Sequence, residues 1–167
     1  FAQHVAQLLD KLLLEREAQS DDLPQRAVAL VTGRSPVYRE AVRLAMAVAD
    51  TDVPTLILGP TGSGKSMLAR AIHDNSQRAN ATFVEFNCGT ADDRLVLELF
   101  GSIPGGFTDA KDRPGKVGEA NGGTLFLDEI AELKPEAQAA LLTFLESGAY
   151  YPVGADRSTL ADVRLLF

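Results

Sequence analysis

Eight consecutive residues combine glycines, a lysine and a hydroxyl side chain at a spacing that suits phosphate binding. They are Gly59-Pro60-Thr61-Gly62-Ser63-Gly64-Lys65-Ser66, and they fit the pattern G-x-x-x-x-G-K-[ST]. Glycine lets the backbone curl so that successive N–H groups point at phosphate oxygens. The Lys65 ammonium can reach the β- and γ-phosphates of a nucleotide, and the Ser66 hydroxyl can ligate Mg²⁺. The alternative is a glycine-rich turn that binds nothing, and the flanking residues decide between the two.

The flanks of this loop predict the structure that a phosphate site needs. Residues 55–58 form a short, apolar, partly β-branched run, which indicates a buried strand. After Lys65, apolar residues recur at helical spacing, at Met67, Leu68, Ala71 and Ile72. A strand, a glycine loop and a helix in this order place phosphate at the helix N-terminus. The sequence therefore favours a nucleotide site over an empty turn.

A pair of carboxylates, Asp128 and Glu129, follows the apolar run Leu125-Phe126-Leu127. At the carboxyl edge of a parallel sheet, where ligands bind, Asp128 would hold Mg²⁺ directly or through water. Glu129 would orient and polarise an attacking water. Adjacent carboxylates after a strand are also common at helix starts, but the phosphate loop upstream favours catalysis. An acid at position 129 argues for hydrolysis rather than for nucleotide binding alone.

Strand and helix patterns alternate from Ser35 onward, with Ser35 as a helix cap and Pro36 at the first helical position. This alternation predicts an α/β fold in which helices cover both faces of a parallel sheet. The strands are continuous apolar runs, as is typical of buried parallel strands. The predicted helices span 36–50, the residues after 64, 93–100 and 135–147, and the predicted strands span 55–58, 82–87, 124–128 and 163–167.

Residues 1–22 are predicted to be a helix and linker that precede the α/β domain. The helix over 1–19 carries apolar residues on two faces, so it is either a coiled connector or dimer contact, or a helix packed on the domain. The chain begins at Phe1 and stops at Phe167 inside an apolar run. We therefore expect it to be a fragment of a longer protein.

The length and composition of the chain exclude several classes of protein. The 167 residues suffice for one well-packed domain, and a formal charge of −7 argues against gripping a nucleic-acid backbone unaided. No run is long enough to span a membrane, and the first residues do not resemble a signal peptide. The single cysteine, Cys88, excludes an internal disulfide and fits a reducing compartment. We expect Cys88 to be a small buried hydrophobic residue rather than a nucleophile.

From about residue 32 to residue 167, the chain resembles the AAA+ ATPase domain of bacterial enhancer-binding proteins, the activators of sigma-54 RNA polymerase. The resemblance is strongest in the run that ends with the acidic pair and in the segments before it. The matching segments are Gly33-Arg34-Ser35-Pro36, Ala69-Arg70-Ala71-Ile72-His73, Phe83-Val84-Glu85-Phe86-Asn87-Cys88, Glu98-Leu99-Phe100-Gly101 and Glu119-Ala120-Asn121-Gly122-Gly123-Thr124-Leu125-Phe126-Leu127-Asp128-Glu129.

This resemblance implies an AAA+ P-loop NTPase fold, truncated to its large subdomain, that uses ATP and Mg²⁺. The catalytic residues would be Lys65, Asp128, Glu129 and Asn87. In such proteins the asparagine holds the glutamate in a nucleotide-dependent position, although Asn87 could instead bond its own turn. We expect His73, on a helix face that reads as polar, to have a structural or surface role.

The resemblance also implies an assembly and a location. Such proteins form cytoplasmic rings of six or seven subunits, a hexamer or heptamer, in bacteria. They contact DNA through a domain that would lie outside this chain, as would the sensor residues and the arginine that complete the ATP site. We therefore expect the fragment alone to bind nucleotide and to hydrolyse it very slowly.

The family's sigma-54 contact loop, G-A-F-T-G-A, corresponds here to Gly105-Gly106-Phe107-Thr108-Asp109-Ala110. Gly105, Phe107 and Thr108 are kept, and they would make the contact. Asp109 tolerates a positive φ less well than glycine and adds a charge. The leading hypothesis is an ATPase that remodels sigma-54 RNA polymerase. The alternatives are an ATPase with another protein client, a non-enzymatic nucleotide-binding assembly module, and a loop that is only a surface hairpin.

Overall fold

The computed structural model describes residues 36–90, 94–105 and 113–167. Predictions for residues 1–35, including the first helix and the Ser35 cap, lie outside these ranges. The described helices are α1 (Pro36–Ala49), α2 (Lys65–Asp74), α3 (Leu95–Phe100), α4 (Gly115–Glu119) and α5 (Pro135–Ser147). The strands are β1 (Phe83–Asn87), β2 (Thr124–Asp128), β3 (Ala149–Tyr150), β4 (Thr159–Leu160) and β5 (Arg164–Leu166), and single 3₁₀ turns lie at Cys88–Thr90 and Ile130–Glu132.

The main sheet has the strand order β1-β2-β5, and all three strands are parallel. In its register Asn87 pairs with Asp128, so the last residues of β1 and β2 lie side by side. Strands β3 and β4 form a small separate antiparallel pair. The parallel sheet confirms the predicted α/β class, and it brings the ends of β1 and β2 to one edge.

Packing on both faces of the sheet follows from the pleat of β2. Successive side chains of a strand point to opposite faces. Leu125 and Leu127 enter a core shared with α3, α4 and α5, whereas Phe126 enters a second core shared with α1 and α2. These three side chains are fully buried. Helices therefore cover both faces, as the sequence predicts.

The segment 55–58 departs from the prediction of a buried strand. Its only bridge joins Thr55 to Leu166 of β5, with Ile57 N–H donating to the Phe167 carbonyl at 2.6 Å. Leu56 and Leu58 are 57% and 83% exposed. The burial prediction is wrong because, among the described residues, this segment is the outer edge of the sheet.

Two arginines lie at the amino ends of the parallel strands, opposite the carboxyl ends where Asn87 and Asp128 lie. Arg164 in β5 is buried and donates to the carbonyls of Ala49 and Val48, at 2.6 and 2.7 Å. These contacts satisfy the C-terminal end of α1, where a cation also complements the helix dipole. Arg78 bonds Asp52 in a bidentate pair and Asp162 at 2.7 Å. Both arginines thereby fix the loops that lead into the parallel strands.

Candidate nucleotide site

The glycine loop turns the chain from the segment 55–58 into α2. Gly62 and Gly64 have φ values of +78° and +91°, a left-handed conformation that favours glycine. Ser63 N–H donates to the Pro60 carbonyl at 3.2 Å and closes the turn between them. Gly64 is the N-cap of α2 and has no side chain to cap it. The first N–H groups of α2 can therefore bind an anion, and the helix dipole favours one.

Lys65 and Ser66 are the first two residues of α2. The Lys65 Nζ lies 3.3 Å from the carbonyl oxygens of both Gly59 and Pro60, so the ammonium folds back over its own loop. An added β-carbon at Gly59 would lie 2.6 Å from Ser63 Oγ, so the Ser63 hydroxyl would have to move. The loop thus gathers backbone donors, a cation and a hydroxyl around one helix N-terminus.

The acidic pair lies where β2 ends and the chain turns sharply. Glu129 has φ +55° and ψ +42°, and it is the only non-glycine residue with positive φ in the described part of the chain. Its N–H donates to Asp128 Oδ1 at 2.9 Å. A left-handed residue with a side chain costs about 1–2 kcal/mol, and strain of this kind concentrates at functional sites. The turn directs the Glu129 side chain back toward the end of β1.

Asn87 ends β1 in register with Asp128. Its side-chain Oδ1 accepts a hydrogen bond of 2.7 Å from Gly89 N–H, in the 3₁₀ turn that follows. This is the bond that the turn interpretation of Asn87 predicts. A role in holding the glutamate stays a prediction, and the shared edge of β1 and β2 is compatible with it.

Cys88 follows Asn87 and is buried, which confirms that it packs as a small apolar group. Burial, with smaller contributions from the negative charges of Asp128 and Glu129, raises the pKa of its thiol to about 11. Only the thiolate is strongly nucleophilic. The cysteine is therefore protonated near neutral pH, which disfavours a role as a nucleophile.

His73 is buried rather than on a polar face, so that part of its prediction is wrong. Its Nδ1 lies 2.9 Å from Thr124 Oγ1, and its ring centroid is 5.1 Å from that of Phe83. Burial lowers the pKa of the imidazole. The contact is structural, and it ties the helix that follows the phosphate loop to the strand that ends at Asp128.

The predicted partner loop has a closed base. Ser102 and Arg113 exchange two backbone hydrogen bonds, each of 3.0 Å, so the chain leaves and returns at one point. Gly105 is exposed, with φ +86°. Phe107 and Thr108 lie outside the described residues, as do Gly106 and Asp109.

The oxygen donors at this edge suit magnesium. Ser66 supplies a hydroxyl and Asp128 a carboxylate, and Mg²⁺ typically takes only one or two protein ligands beside water and phosphate. Within the described ranges, no group of three or more His, Cys, Asp or Glu side chains could hold a metal ion. None of the described helices is long and apolar enough to cross a membrane.

Known proteins are similar to this chain in sequence and in fold. The family model for the sigma-54 interaction domain matches residues 31–167. The chain is 45% identical over 152 residues to the phenol regulator MopR of Acinetobacter guillouiae, which covers 90% of this chain and 26% of MopR. It is 42% identical over 147 residues to the Nif-specific regulatory protein of Klebsiella pneumoniae, covering 86% of this chain and 28% of that protein.

Solved structures give the same result for the fold. NtrX from Brucella abortus, crystallised in complex with ATP, superposes with a TM-score of 0.71 and 32% identity. The match covers 99% of this chain and 36% of the NtrX chain. The ADP complex of NtrX gives a TM-score of 0.73. The chain thus spans only a minor part of the relatives that it matches.

Proposed function

This chain belongs to the family of sigma-54 interaction domains, which are AAA+ P-loop NTPases, and we propose that it binds and hydrolyses ATP to remodel sigma-54 RNA polymerase. The family match carries the sigma-54 part of the proposal, and one observation carries the ATP-hydrolysis part. The segment 55–58 runs parallel to β5, which is parallel to β2, so the loop 59–66 and the pair Asp128–Glu129 both lie at the carboxyl edge of one sheet.

Binding of the triphosphate would begin with the backbone of residues 59–66. Their N–H groups and the N-terminus of α2 would receive the phosphate oxygens. The Lys65 ammonium would exchange its two 3.3 Å contacts with neutral carbonyls for shorter, charge-assisted bonds to phosphate. The relation to NtrX, which crystallised with ATP and with ADP, supports this assignment.

Hydrolysis would depend on the residues at the ends of β1 and β2. Ser66 and Asp128 would hold Mg²⁺, which neutralises charge on the phosphates when it is bound. Glu129 would orient the attacking water and accept its proton at the carboxylate. Asn87, in register with Asp128, would control the position of Glu129. An arginine from a neighbouring subunit of a cytoplasmic ring would complete the site.

The partner would be engaged by the loop that leaves the base at Ser102 and Arg113. Gly105, Phe107 and Thr108 would contact sigma-54. The hydrogen-bonded base of the loop would transmit movements of α3 and α4 to that contact. The closed base supports this role because it fixes both ends of the loop to the sheet-bound helices.

The altered loop sequence favours a second candidate function, in which the ATPase remodels another protein. Gly106 and Asp109 replace the alanine and the second glycine of the family's loop, and Asp109 adds a negative charge where the contact would form. A pull-down with the complete protein separates the two functions. An ATP-dependent partner other than sigma-54, lost on Thr108→Ala, would establish the second function.

The first test is ATP turnover by the complete protein. We expect measurable hydrolysis that Glu129→Gln slows by about 10²- to 10⁴-fold while ATP binding persists, because glutamine keeps the size of the side chain and removes its basicity. Binding without any hydrolysis in the parent protein would favour a non-enzymatic nucleotide-binding assembly module instead.

A further inference from the structure

The Glu129 carboxylate lies over the α-carbon of Gly89, in the 3₁₀ turn that follows β1. A β-carbon added to Gly89 would overlap Glu129 Oε2, and it would lie 3.4 Å from Glu129 Cδ and 3.2 Å from Asn87 Oδ1. The carboxylate therefore occupies the space that any side chain at position 89 would need. This is the Glu129–Gly89 contact.

Gly89 is required here for space rather than for backbone conformation. It is absent from the glycines with positive φ, which include Gly62 and Gly64. An alanine could therefore adopt the same backbone. At Gly101 an added β-carbon would meet backbone atoms that cannot give way, whereas at Gly89 it would meet the mobile end of one side chain. A methyl group at position 89 would consequently displace the Glu129 carboxylate and leave the fold in place.

Both sides of the contact are held by hydrogen bonds. Gly89 N–H donates to Asn87 Oδ1 at 2.7 Å, which fixes the turn relative to the end of β1. Glu129 N–H donates to Asp128 Oδ1 at 2.9 Å, and its left-handed backbone directs the side chain across to the turn. The register of Asn87 with Asp128 sets the distance between these two ends. The position of the carboxylate is thus determined from both strands.

We propose that Gly89 is a positioning residue for Glu129. Because Gly89 has no side chain, the Glu129 carboxylate can lie against its α-carbon. This position determines how the carboxylate contacts the attacking water. This proposal rests on the ATP hydrolysis proposed above. It adds a residue that touches neither nucleotide nor metal, and whose effect is confined to the step that Glu129 performs.

The kinetic test is Gly89→Ala in the complete protein. A misplaced catalytic group can cost up to about 10²-fold in rate, so we expect kcat for ATP to fall about tenfold or more. The KM for ATP and its equilibrium affinity should stay within about twofold, because the phosphate loop is untouched. The control is Thr143→Ala on α5, an exposed residue away from the phosphate loop and the acidic pair, whose hydroxyl donates only to the Ala139 carbonyl of its own helix. That control should leave kcat unchanged.

Repeating the Gly89→Ala substitution in a Glu129→Asp variant shows whether Gly89 acts by positioning the Glu129 carboxylate or through a general effect on the structure. Glu129→Asp shortens the side chain by one methylene and withdraws the carboxylate from Gly89. In this background Gly89→Ala should change the remaining kcat by less than about twofold. An unchanged kcat for Gly89→Ala alone, or an equal loss in both backgrounds, would overturn the proposal.

A crystal structure of the Gly89→Ala variant gives an answer that does not depend on turnover. We expect the Glu129 carboxylate to move by about 1 Å or more while the backbone of residues 59–66 stays in place. A carboxylate in its original position would overturn the proposal. If the parent protein binds ATP but never hydrolyses it, the proposed function fails, and the structure still decides whether Gly89 positions Glu129.

Discussion

Asn87 and Asp128 lie side by side in register at the ends of two parallel strands, each followed by a sharp turn that its own side chain closes. Asn87 Oδ1 accepts from Gly89 N–H at 2.7 Å, and Asp128 Oδ1 accepts from Glu129 N–H at 2.9 Å. The paired turns bring the Glu129 carboxylate onto the neighbouring strand end. A nucleotide bound at residues 59–66 would therefore face Asn87, Asp128 and Glu129 as a single group of side chains.

Removal of the Lys65 charge should weaken nucleotide binding. Lys65→Ala deletes a cation that can form charge-assisted bonds to phosphate, each of which contributes about 1.5–3 kcal/mol. We expect the Kd for ATP to rise by one to two orders of magnitude, measured by fluorescence titration. Lys116→Ala is a suitable control, because Lys116 pairs with Glu119 on α4 at 2.7 Å. An unchanged Kd in Lys65→Ala would contradict the assigned phosphate loop.

Neutralising the acidic pair should separate binding from chemistry. Glu129→Gln should reduce kcat by about 10²- to 10⁴-fold, the usual contribution of a general base, with ATP affinity preserved. Asp128→Asn should lower kcat as well and should also weaken the dependence of ATP binding on Mg²⁺. Isothermal titration with and without Mg²⁺ measures this difference. Equal Mg²⁺ dependence in the two variants would rule out Asp128 as a ligand.

The buried His73 should make stability depend on pH. Burial lowers the pKa of its imidazole from the ordinary 6.5, so the unfolded chain binds a proton more readily than the folded one. His73 therefore costs no stability above about pH 6.5, and stability falls as the pH drops below that value toward the folded-state pKa. Urea unfolding between pH 7.5 and 5 should show this loss. His73→Gln should flatten the profile, and an unchanged profile would contradict the argument.

The two-faced packing of β2 should make Phe126 a major contributor to stability. Phe126→Ala should lower the free energy of unfolding by about 3–5 kcal/mol, because the ring is fully buried between the sheet and two helices. Leu58→Ala is the apolar control, since Leu58 is 83% exposed, and it should change stability by less than about 0.5 kcal/mol. Similar losses in both variants, measured by chemical denaturation, would place the core elsewhere.

The sequence predicted elements well where several local signals agree. Strand β2 and helix α5 have the predicted bounds, since Pro135 starts the helix and Gly148 ends it in a left-handed conformation. The prediction from sequence was wrong where the burial of a strand depends on whether another strand or helix covers it. The apolar run 55–58 looks like an inner strand, yet Leu56 and Leu58 are exposed at a sheet edge.

Other features left no periodic signal in the sequence. Strands β3 and β4 have only two residues each, too few for a pattern. The role that we propose for Gly89 depends on the Glu129 side chain, which is distant in sequence, so no local motif could reveal it. The phosphate loop and the acidic pair were recognisable because their chemistry requires particular residue types in contiguous runs.

The most direct test of the central claim is formation of a complex with sigma-54 in the presence of ADP and aluminium fluoride, which mimic the transition state of ATP hydrolysis. Gel filtration of the complete protein with purified sigma-54 should show co-elution with the analogue, no co-elution with ADP alone, and loss of the complex on Thr108→Ala. Failure to co-elute under any nucleotide condition, while ATP is still hydrolysed, would contradict remodelling of sigma-54 RNA polymerase.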